Sequence, residues 1–442
     1  MRFGKQDADI CQKFKIFVKE NNMVDYLKYN QVFLTIKAPE KHPQLTFEDI
    51  LFGTKSIEDL RPLTGETDTL TRLYSRDKLE NNNKLFSSVH IDGMITNLKD
   101  FNNLYYDNWS AKIKEFEAIP ERERKDDFQN VYRTFKIPKK HGGWRTINSP
   151  NDEFKKVLNE LKDYLDNLMF CSYHTAAYAY INGRGIINER QKHQKWESKW
   201  FAKFDFHDFF GSTTLDFVMQ QFEHIYPFSA ICYYQEGREE LRKALSLCFL
   251  DGGLPQGTPI SPWLTNVIMI PFDHIMQNSL NKVTFADGTT ERFVYTRYAD
   301  DLSISSRKNF DSKRIEEFIL DLLSEMNAPF TLNREKTTYG SSRGRNWHLG
   351  LMLNKDNNIT VGYRRKKQLK AAMHNYVMDT KNQHPWQLDD LYSLQGEISF
   401  CNMVEKEVVK NMISAFKTRY GIDVIEQLKA DIKNYHVVRS VN

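Results

Sequence analysis

The stretch FVYTRYADDLSISSR, residues 293–307, places two aspartates, Asp300 and Asp301, between two runs in which apolar and polar side chains alternate. Alternation with a period of two is typical of a half-buried β-strand. The two aspartates therefore mark the turn of a predicted β-hairpin. Two carboxylates at the rim of a core repel each other, so one must be protonated or a cation must neutralise them. The pattern points toward a metal ion.

Two motifs upstream of this hairpin strengthen that interpretation. FAKFDFHDFF (201–210) puts Asp205 at the end of an apolar strand, where a carboxylate is costly to bury without a cation. A helix cap or a surface position is the alternative for Asp205. GGLPQGTPISP (252–262) predicts a tight turn before a helix, which leaves Gln256 and backbone N–H groups free to approach a ligand. Taken alone, this segment is an ordinary loop.

Composition limits the class of protein. The 62 Lys and Arg residues against 58 Asp and Glu give a net charge of +4, which excludes a histone-like protein but permits local basic surfaces. The five cysteines form no CxxC pair, so neither a zinc site nor a disulfide framework is indicated. No apolar run is long enough for a membrane span, and no apolar leader is visible. We expect a cytoplasmic protein without membrane contact.

The segments around the motifs predict an α+β fold, with an antiparallel sheet backed by helices. The C-terminal hundred residues look mainly helical. Gly pairs and the Asp287-Gly288 dipeptide indicate turns between strands. The main predicted elements are a basic hairpin over 131–150, helices over 152–170, 264–280 and 312–326, and a strand over 330–337.

In their order along the chain, these motifs resemble those of reverse transcriptases. FDFHDFF resembles motif A, LPQGTPISP motif B and YADD motif C, while FKIPKKHGGWRTINSP resembles the fingers motif and LNREKT and HLGLML resemble motifs D and E. The resemblance implies a right-hand polymerase. The predicted divisions are a mainly helical N-terminal extension (1–105), fingers (106–200), a palm (201–355) whose 253–262 loop contributes to the nucleotide pocket, and a helical thumb with the C-terminal tail (356–442).

The chemistry of such an enzyme agrees with the carboxylates. Nucleotidyl transfer joins a primer 3′-hydroxyl to an α-phosphorus through a highly anionic transition state, and two Mg²⁺ ions about 3.5–4 Å apart meet that demand. We expect Asp205 and Asp300 to bridge the ions, with Mn²⁺ as a substitute for Mg²⁺. The resemblance implies that Asp301 is a partial ligand or acts through another ligand.

Cationic side chains are predicted to meet the triphosphate. Lys139, Lys140 and Arg145 surround the tip of the basic hairpin, and Arg suits bidentate phosphate contact. Gln256 and Gly257 complete the predicted nucleotide pocket. Lys336 resembles the motif D lysine that donates a proton to pyrophosphate, which makes it a fourth predicted catalytic residue beside the three aspartates. The alternative for each cation is a solvated position.

Two further assignments depend on the resemblance. Phe210 lies where the family carries an aromatic gate against the ribonucleotide 2′-hydroxyl; the alternative is a core aromatic, a role that suits Phe209 better. YRRKKQLKAAMHNYV (363–377) combines cations with apolar residues at helical spacing, as expected of a thumb helix that follows a phosphate backbone. A solvated face is the alternative. The predicted nucleic-acid contacts are Arg364, Arg365, Lys366 and Lys367.

QGTPISP resembles the bacterial group shared by retrons, group II introns and defence-associated enzymes, so we expect a bacterial or phage protein. Two retron hallmarks are only approximated: Asn188 and His193 stand one residue too far apart for Asn-Ala-x-x-His, and Leu349 replaces a threonine. We predict a defence-associated RNA-directed DNA polymerase that uses deoxynucleotides and an RNA template, for which a dedicated noncoding RNA is one candidate, and makes DNA. Oligomerisation or an accessory protein is left open.

Three alternatives stand beside this prediction. A retron enzyme would make RNA-linked single-stranded DNA, and an abortive-infection type enzyme would carry out untemplated or protein-primed synthesis. A non-enzymatic nucleic-acid-binding scaffold is the third. The three aspartates argue against the scaffold, because binding alone needs no paired acids and acids repel phosphate.

Overall fold

The computed structural model describes most of the chain after residue 87. Lys140, Asp287 and residues 1–87 of the predicted N-terminal extension lie outside the described residues. The described ranges are 88–127, 129–139, 142–169, 173–285, 288–344 and 346–441.

Helices make up the larger part of the described chain. In chain order they are α1 (Ser88–Glu117), α2 (Asp152–Leu168), α3 (Ile186–Lys195), α4 (Phe209–Ser212), α5 (Leu215–Phe222), α6 (Phe228–Tyr233), α7 (Gln235–Ser246), α8 (Ser261–Ile268), α9 (Ile270–Ser279), α10 (Ser312–Glu325), α11 (Tyr363–Lys381), α12 (Leu388–Val404), α13 (Lys406–Tyr420) and α14 (Val424–Val441).

The strands are short. They are β1 (Tyr132–Pro138), β2 (Trp144–Pro150), β3 (Trp200–His207), β4 (Val283–Thr284), β5 (Thr290–Glu291), β6 (Val294–Tyr298), β7 (Asp301–Ser306), β8 (Thr331–Leu332), β9 (Thr338–Ser341), β10 (Met352–Leu353) and β11 (Ile359–Thr360).

The described residues form two compact units that are discontinuous in sequence. The first unit takes the residues up to Arg184 together with Ala202–Thr338, and the second takes Gly185–Phe201 together with the residues from Tyr339 onward. The predicted boundary at residue 105 falls inside α1, which runs without a break to Glu117.

An antiparallel sheet organises the first unit, with strand order β6-β7-β3-β8. Strands β6 and β7 form the predicted hairpin, in register from Val294 opposite Ser305 to Tyr298 opposite Asp301. The expectation that these strands are half-buried is wrong, since nearly every residue of both is buried. Arg297, the charged residue among them, is paired with a carboxylate, which offsets part of the cost of its burial.

The basic hairpin and its following helix are confirmed. Strands β1 and β2 pair over seven residues, from Tyr132 opposite Pro150 to Pro138 opposite Trp144, and two glycines turn the chain. Helix α2 starts after Asn151, whose side chain accepts a hydrogen bond from the Phe154 N–H at 2.8 Å. This is the ordinary N-cap geometry, and it fixes where the helix begins.

Two predicted elements differ from the structure. The helix expected over 264–280 is two helices, α8 and α9, because Pro271 near the start of α9 lacks the N–H that a continuous helix would need. The strand expected over 330–337 is confined to β8, and a short 3-10 helix, Arg334–Lys336, follows it. Lys336 therefore lies on a turn.

The second unit contains the four helices α11 to α14. Its core is formed by side chains such as Leu369, Met373, Leu391 and Phe416, each at most 4% exposed. The prediction of a mainly helical C-terminal region is confirmed. Among the described residues, no helix is both long and apolar enough to cross a membrane.

Candidate active site

Asp205 lies on β3, between the turn of the β6–β7 hairpin and the chain that follows β8. The Phe206 N–H donates to the Asp300 carbonyl at 3.1 Å, and the Asn333 N–H donates to the Asp205 carbonyl at 2.7 Å. The first of these bonds brings the motif A and motif C aspartates together, and the second holds the chain after β8 against Asp205. The Asp205 side chain is buried, with 3% of its surface exposed.

The hairpin turn consists of Ala299 and Asp300. Tyr298 pairs with Asp301, so the loop has two residues, and Ala299 has a φ of +56°. Two-residue hairpin turns require such left-handed backbone. The predicted turn is thus confirmed, with Asp300 at its tip and Asp301 as the first residue of β7.

Burial and mutual repulsion act on the two turn aspartates. Burial raises the pKa of Asp300, and the negative charge of Asp205 raises it further. Burial also raises the pKa of Asp301, to about 6, although the nearby Lys203 ammonium opposes the shift. The site is therefore short of positive charge relative to its three carboxylates.

Two lysines contact these carboxylates. Lys336 Nζ lies 2.7 Å from Asp205 Oδ1, and Lys203 Nζ lies 2.7 Å from Asp301 Oδ1. Sequence reasoning included Lys336 but missed Lys203. The signal was available, because Lys203 stands two residues before Asp205 and side chains two apart share one face of a strand.

The donor set fits a hard divalent cation. Carboxylate oxygens are the ligands that Mg²⁺ prefers, and the raised pKa values of Asp300 and Asp301 reflect anions that a cation would stabilise. Within the described ranges, no group of three or more His, Cys, Asp or Glu side chains is arranged so that it could hold a metal ion by itself. Mg²⁺ sites in nucleotide enzymes commonly use one or two carboxylates and complete their coordination with water and substrate phosphates.

A cavity of about 830 Å³ opens in front of Asp205 and Asp300. A volume of this size is ordinary for a small-molecule site. Eight of the predicted site residues line it, namely Lys139, Arg145, Asp205, Phe210, Gln256, Gly257, Asp300 and Lys336.

Backbone hydrogen bonds hold the motif B loop against this cavity. The Asn148 N–H donates to the Gln256 carbonyl at 2.8 Å, and the Leu254 N–H donates to the Phe210 carbonyl at 3.0 Å. Gly257 has a φ of +121°, and a Cβ atom there would lie 2.9 Å from the Asn148 carbonyl oxygen. Glycine is therefore required at this position by both conformation and space.

The two phenylalanines of motif A have different surroundings. Phe209 is 2% exposed and packs on Phe206 and Phe330, with ring centroids 5.4 and 4.9 Å away. Phe210 is half-buried, lines the cavity, and meets the ring of Tyr180 edge-on at 6.5 Å. Tyr180 also lines the cavity and was not predicted.

A buried ion pair contacts the hairpin turn through one of its members, and the sequence analysis did not predict it. Arg297 and Asp273 are both fully buried and form a bidentate pair, with Nε–Oδ1 at 2.9 Å and Nη2–Oδ2 at 2.8 Å. The Tyr295 hydroxyl donates to Asp273 at 2.7 Å. Arg297 Nη1 donates to the Ala299 carbonyl at 3.1 Å, directly before Asp300.

The predicted nucleic-acid contacts lie in the second unit, on the first turn of α11. Arg365 pairs with Glu397 at 2.6 Å, and Lys366 pairs with Glu405 at 2.9 Å. Arg364 and Lys367 are exposed. The four cations thus divide into two that are held in ion pairs and two that face solvent.

The model of the family described as reverse transcriptase (RNA-dependent DNA polymerase) matches residues 137–371. The chain belongs to the reverse transcriptase family. The predictions of a right-hand polymerase fold and of an RNA-directed DNA polymerase are confirmed by this membership.

Individual relatives of this reverse transcriptase are bacterial. The retron Ec73 reverse transcriptase of Escherichia coli is 29% identical over 214 residues, which cover 47% of this chain and 64% of that enzyme. The retron Ec83 reverse transcriptase of the same organism is 24% identical and covers 67% of this chain and 89% of that enzyme. The chain therefore spans slightly less than two thirds of the first relative and most of the second.

Among solved structures, a telomerase from Candida albicans is 14% identical, with a TM-score of 0.38, and covers 77% of this chain and 63% of the telomerase chain.

The altered retron hallmark lies within a buried polar cluster of the second unit. His193 is fully buried, and its Nε2 lies 3.1 Å from Glu189 Oε1. His348, next to Leu349, lies 3.7 Å from the same carboxylate oxygen. Burial lowers the pKa of His193, which favours the neutral ring.

Proposed function

We propose that this reverse transcriptase extends a primer with deoxynucleotides by two-metal-ion transfer in the first unit's cavity. The observation that carries the proposal is the convergence of Asp205, Asp300, Lys336, Arg145 and Phe210 on one volume of about 830 Å³. Each of these residue types suits one part of a nucleoside triphosphate or of its reaction.

Asp205 and Asp300 would hold Mg²⁺ or Mn²⁺, with Asp301 as a partial ligand. Two such ions activate the attacking hydroxyl and stabilise the leaving oxygen of an in-line displacement. Lys336 is positioned by Asp205 at 2.7 Å, and burial that would lower its pKa is outweighed by the neighbouring carboxylates, which raise it. Its ammonium is therefore protonated and suited to donate to pyrophosphate.

The remaining cavity residues would bind the incoming nucleotide. Arg145 and Lys139 are exposed at the hairpin side of the cavity, where their charges would meet the triphosphate. Gln256 and Gly257 present a loop whose backbone is already held in place. Phe210 would lie against the sugar and select deoxyribose.

The domain roles belong to the same proposal. We assign 1–105 to the N-terminal extension, 106–200 to the fingers, 201–355 to the palm, and 356–442 to the thumb and tail. Helix α11 would contact a nucleic-acid backbone through Arg364 and Lys367. Arg365 and Lys366 serve the helix bundle through their ion pairs.

The biological role we propose is bacterial anti-phage defence, with a noncoding RNA as template. The second candidate is a retron enzyme that makes RNA-linked DNA, and the two retron relatives favour it. The buried state of His193 bears on this choice, because a side chain with no exposed surface does not contact RNA directly.

One experiment tests the synthesis and names the partner. The wild-type chain, Asp300→Ala and the control Asp216→Asn are expressed, and the nucleic acid that copurifies is treated with RNase or DNase and sequenced. Asp216 is an exposed carboxylate on α5 that pairs with Arg242. We expect one defined RNA with all three proteins, but complementary DNA with the wild type and Asp216→Asn alone.

Primer extension on the bound RNA measures the size of the effect. Loss of a metal-bridging carboxylate removes several kcal/mol of transition-state stabilisation. The rate of primer extension by Asp300→Ala should therefore be at least about 100-fold below that of the wild type. Full activity of this variant would reject the metal assignment. DNA covalently joined to RNA would select the retron candidate, and DNA without complementary RNA would select untemplated synthesis.

A further inference from the structure

A second cavity lies within the second unit, apart from the residues of the proposed active site. It has a volume of about 790 Å³ and is walled by the end of α11, the loop 382–387 and one face of α14. This volume is within the usual range for small-molecule sites.

Aromatic and amide side chains make up most of its wall. Trp386 and Tyr376 meet at 74° with ring centroids 5.2 Å apart, and Tyr435 provides a third ring. Gln427, Asp431, Asn434 and Tyr435 recur at a spacing of three or four residues, so they share one face of α14. Flat rings beside amide groups match the two features of a nucleobase, its π-face and its hydrogen-bonding edge.

Asp431 decides which part of a nucleic acid the cavity can take. Its carboxylate accepts hydrogen bonds from the Tyr376 hydroxyl at 2.6 Å and from Gln427 Nε2 at 2.9 Å. These bonds fix its position and leave further lone pairs, because a carboxylate has about four acceptor sites. An anion here repels phosphate and attracts an amino group, so the base enters while the backbone stays outside.

Cations on α11 provide a path for that backbone. Arg364, Lys367, Lys370 and Lys381 are exposed and lie within one face of the helix by their spacing. Lys381 ends the helix, and Gln383 and His384 of the cavity wall follow at once. A single strand that follows this face is brought to the residues that line the cavity.

We propose that this cavity binds an unpaired nucleobase that carries an exocyclic amino group, held on a single strand that follows α11. The inference rests on the proposed function in one respect, that the chain handles single-stranded nucleic acid. Because binding is measured without metal and nucleotides, its outcome is independent of whether the chain polymerises DNA.

The test compares labelled 12-mers of A, C and U, and the corresponding DNA strands of dA, dC and dT, by fluorescence anisotropy. The proteins are the full chain, Asp431→Asn, Asn434→Ala, and the control Asn411→Ala. Asn434 and Asn411 are both exposed asparagines on helices, but Asn434 alone of the two lines the cavity. Thermal melting of each variant shows that it is folded.

We expect the wild type to bind A and C strands more tightly than U strands. Asn434→Ala should weaken binding of the A strand by about threefold to tenfold, the value of one hydrogen bond, while Asn411→Ala should not. Asp431→Asn should reduce the ratio of A-strand to U-strand affinity. A carboxylate only accepts hydrogen bonds, whereas the asparagine amide also donates them and so no longer favours a base with an amino group. The slope of affinity against salt should fall for Lys367→Gln and stay unchanged for Asn434→Ala.

Ultraviolet crosslinking of the A strand, mapped by mass spectrometry, locates the base. Adducts on Trp386 or Tyr435 support the site, as does equal behaviour of RNA and DNA strands, since the cavity reads the base. An unchanged A to U ratio in Asp431→Asn would overturn the inference, as would equal affinities of the two asparagine variants or adducts confined to other aromatic residues.

Discussion

At the scale of single residues, the two adjacent phenylalanines that begin α4 show how neighbouring positions can serve the core and the site. Phe209 is buried against the rings of Phe206 and Phe330, whereas Phe210 lines the cavity that Asp205 also lines. A large ring at the cavity wall excludes atoms by size. The same ring in the core contributes to stability through burial.

We predict that Phe210→Ala weakens discrimination against ribonucleotides by about tenfold or more, because the space left would accept a 2′-hydroxyl. The measurement is the ratio of kcat/KM for a deoxynucleotide to that for the matching ribonucleotide in primer extension. Phe209→Leu is the matched control. It should lower the free energy of unfolding by roughly 1–2 kcal/mol and leave the ratio unchanged. Equal ratios in the wild type and Phe210→Ala would return Phe210 to a packing role.

Charge at single positions explains which site residues could be predicted from sequence. Asp205 and Asp300 could be predicted because burying a carboxylate costs free energy, so an aspartate next to an apolar strand needs an explanation. Lys203 was missed because a lysine within a strand is ordinarily solvated, and its 2.7 Å contact with Asp301 depends on pairing between strands that are almost a hundred residues apart. The spacing of Lys203 from Asp205 indicates a shared strand face, but it does not identify Asp301 as the partner of Lys203.

At the scale of elements, the β6–β7 hairpin is fixed by a buried ion pair on α9 and β6. Asp273 neutralises Arg297, and Arg297 in turn donates to the carbonyl before Asp300. The pair therefore connects the stability of the first unit to the position of a catalytic turn. Removing one partner leaves a buried charge, which costs about 3–5 kcal/mol.

This connection predicts different outcomes for two variants. Asp273→Asn should lose both stability and synthesis. A triple variant with Arg297→Met, Asp273→Leu and Tyr295→Phe replaces the network by apolar groups, so its free energy of unfolding should return close to that of the wild type. Its primer extension should nevertheless stay at least about tenfold low, because the Ala299 carbonyl has lost its donor and the turn is displaced.

Chemical denaturation and primer extension on the same samples measure the two effects. Wild-type synthesis by a stable triple variant would show that the ion pair supports folding alone, with no role in placing Asp300.

Elements with strong periodicity were predicted well, and weakly marked ones were not. Helices α2 and α10 have apolar residues at helical spacing and polar N-caps, so their position follows from the sequence. The break between α8 and α9 was overlooked, although Pro271 signals it. Strand β8 has two residues because its extent depends on pairing with β3, which no local pattern specifies.

At the scale of the whole molecule, the division into two units could not be predicted from sequence. Residues 185–201 belong with the chain from 339 onward, although more than a hundred residues separate them. Helix α3 alone looks like a short polar helix, yet Glu189, Arg190 and His193 are all at most 1% exposed. Their burial follows from tertiary contacts in the second unit, which sequence periodicity does not reveal.

This buried cluster predicts a loss of stability in acid. Burial lowers the pKa of His193 below its ordinary value near 6.5. At pH values between this lowered pKa and about 6.5, the unfolded state therefore binds more protons than the folded state. The stability that the neutral ring contributes is therefore present above pH 6.5 and is lost as the pH falls below it, with a slope of at most about 1.4 kcal/mol per pH unit for one proton. The pKa of Glu189 is also lowered: burial alone would raise it, but the positive charges near it outweigh burial. Its contribution is lost in a separate window, below its ordinary value near 4.5.

His193→Gln should flatten the upper part of this profile, because a glutamine stays neutral at every pH and preserves a polar contact with Glu189. The control is His384→Gln, which changes an exposed histidine in the loop before α12 and should leave the profile as in the wild type. Urea denaturation between pH 4.5 and 8 measures the free energy of unfolding for each protein, and the slope between pH 5 and 6.5 is the decisive quantity. The same slope in the wild type and His193→Gln would show that His193 does not control this loss of stability, whereas a smaller slope in His193→Gln alone assigns it to the buried ring.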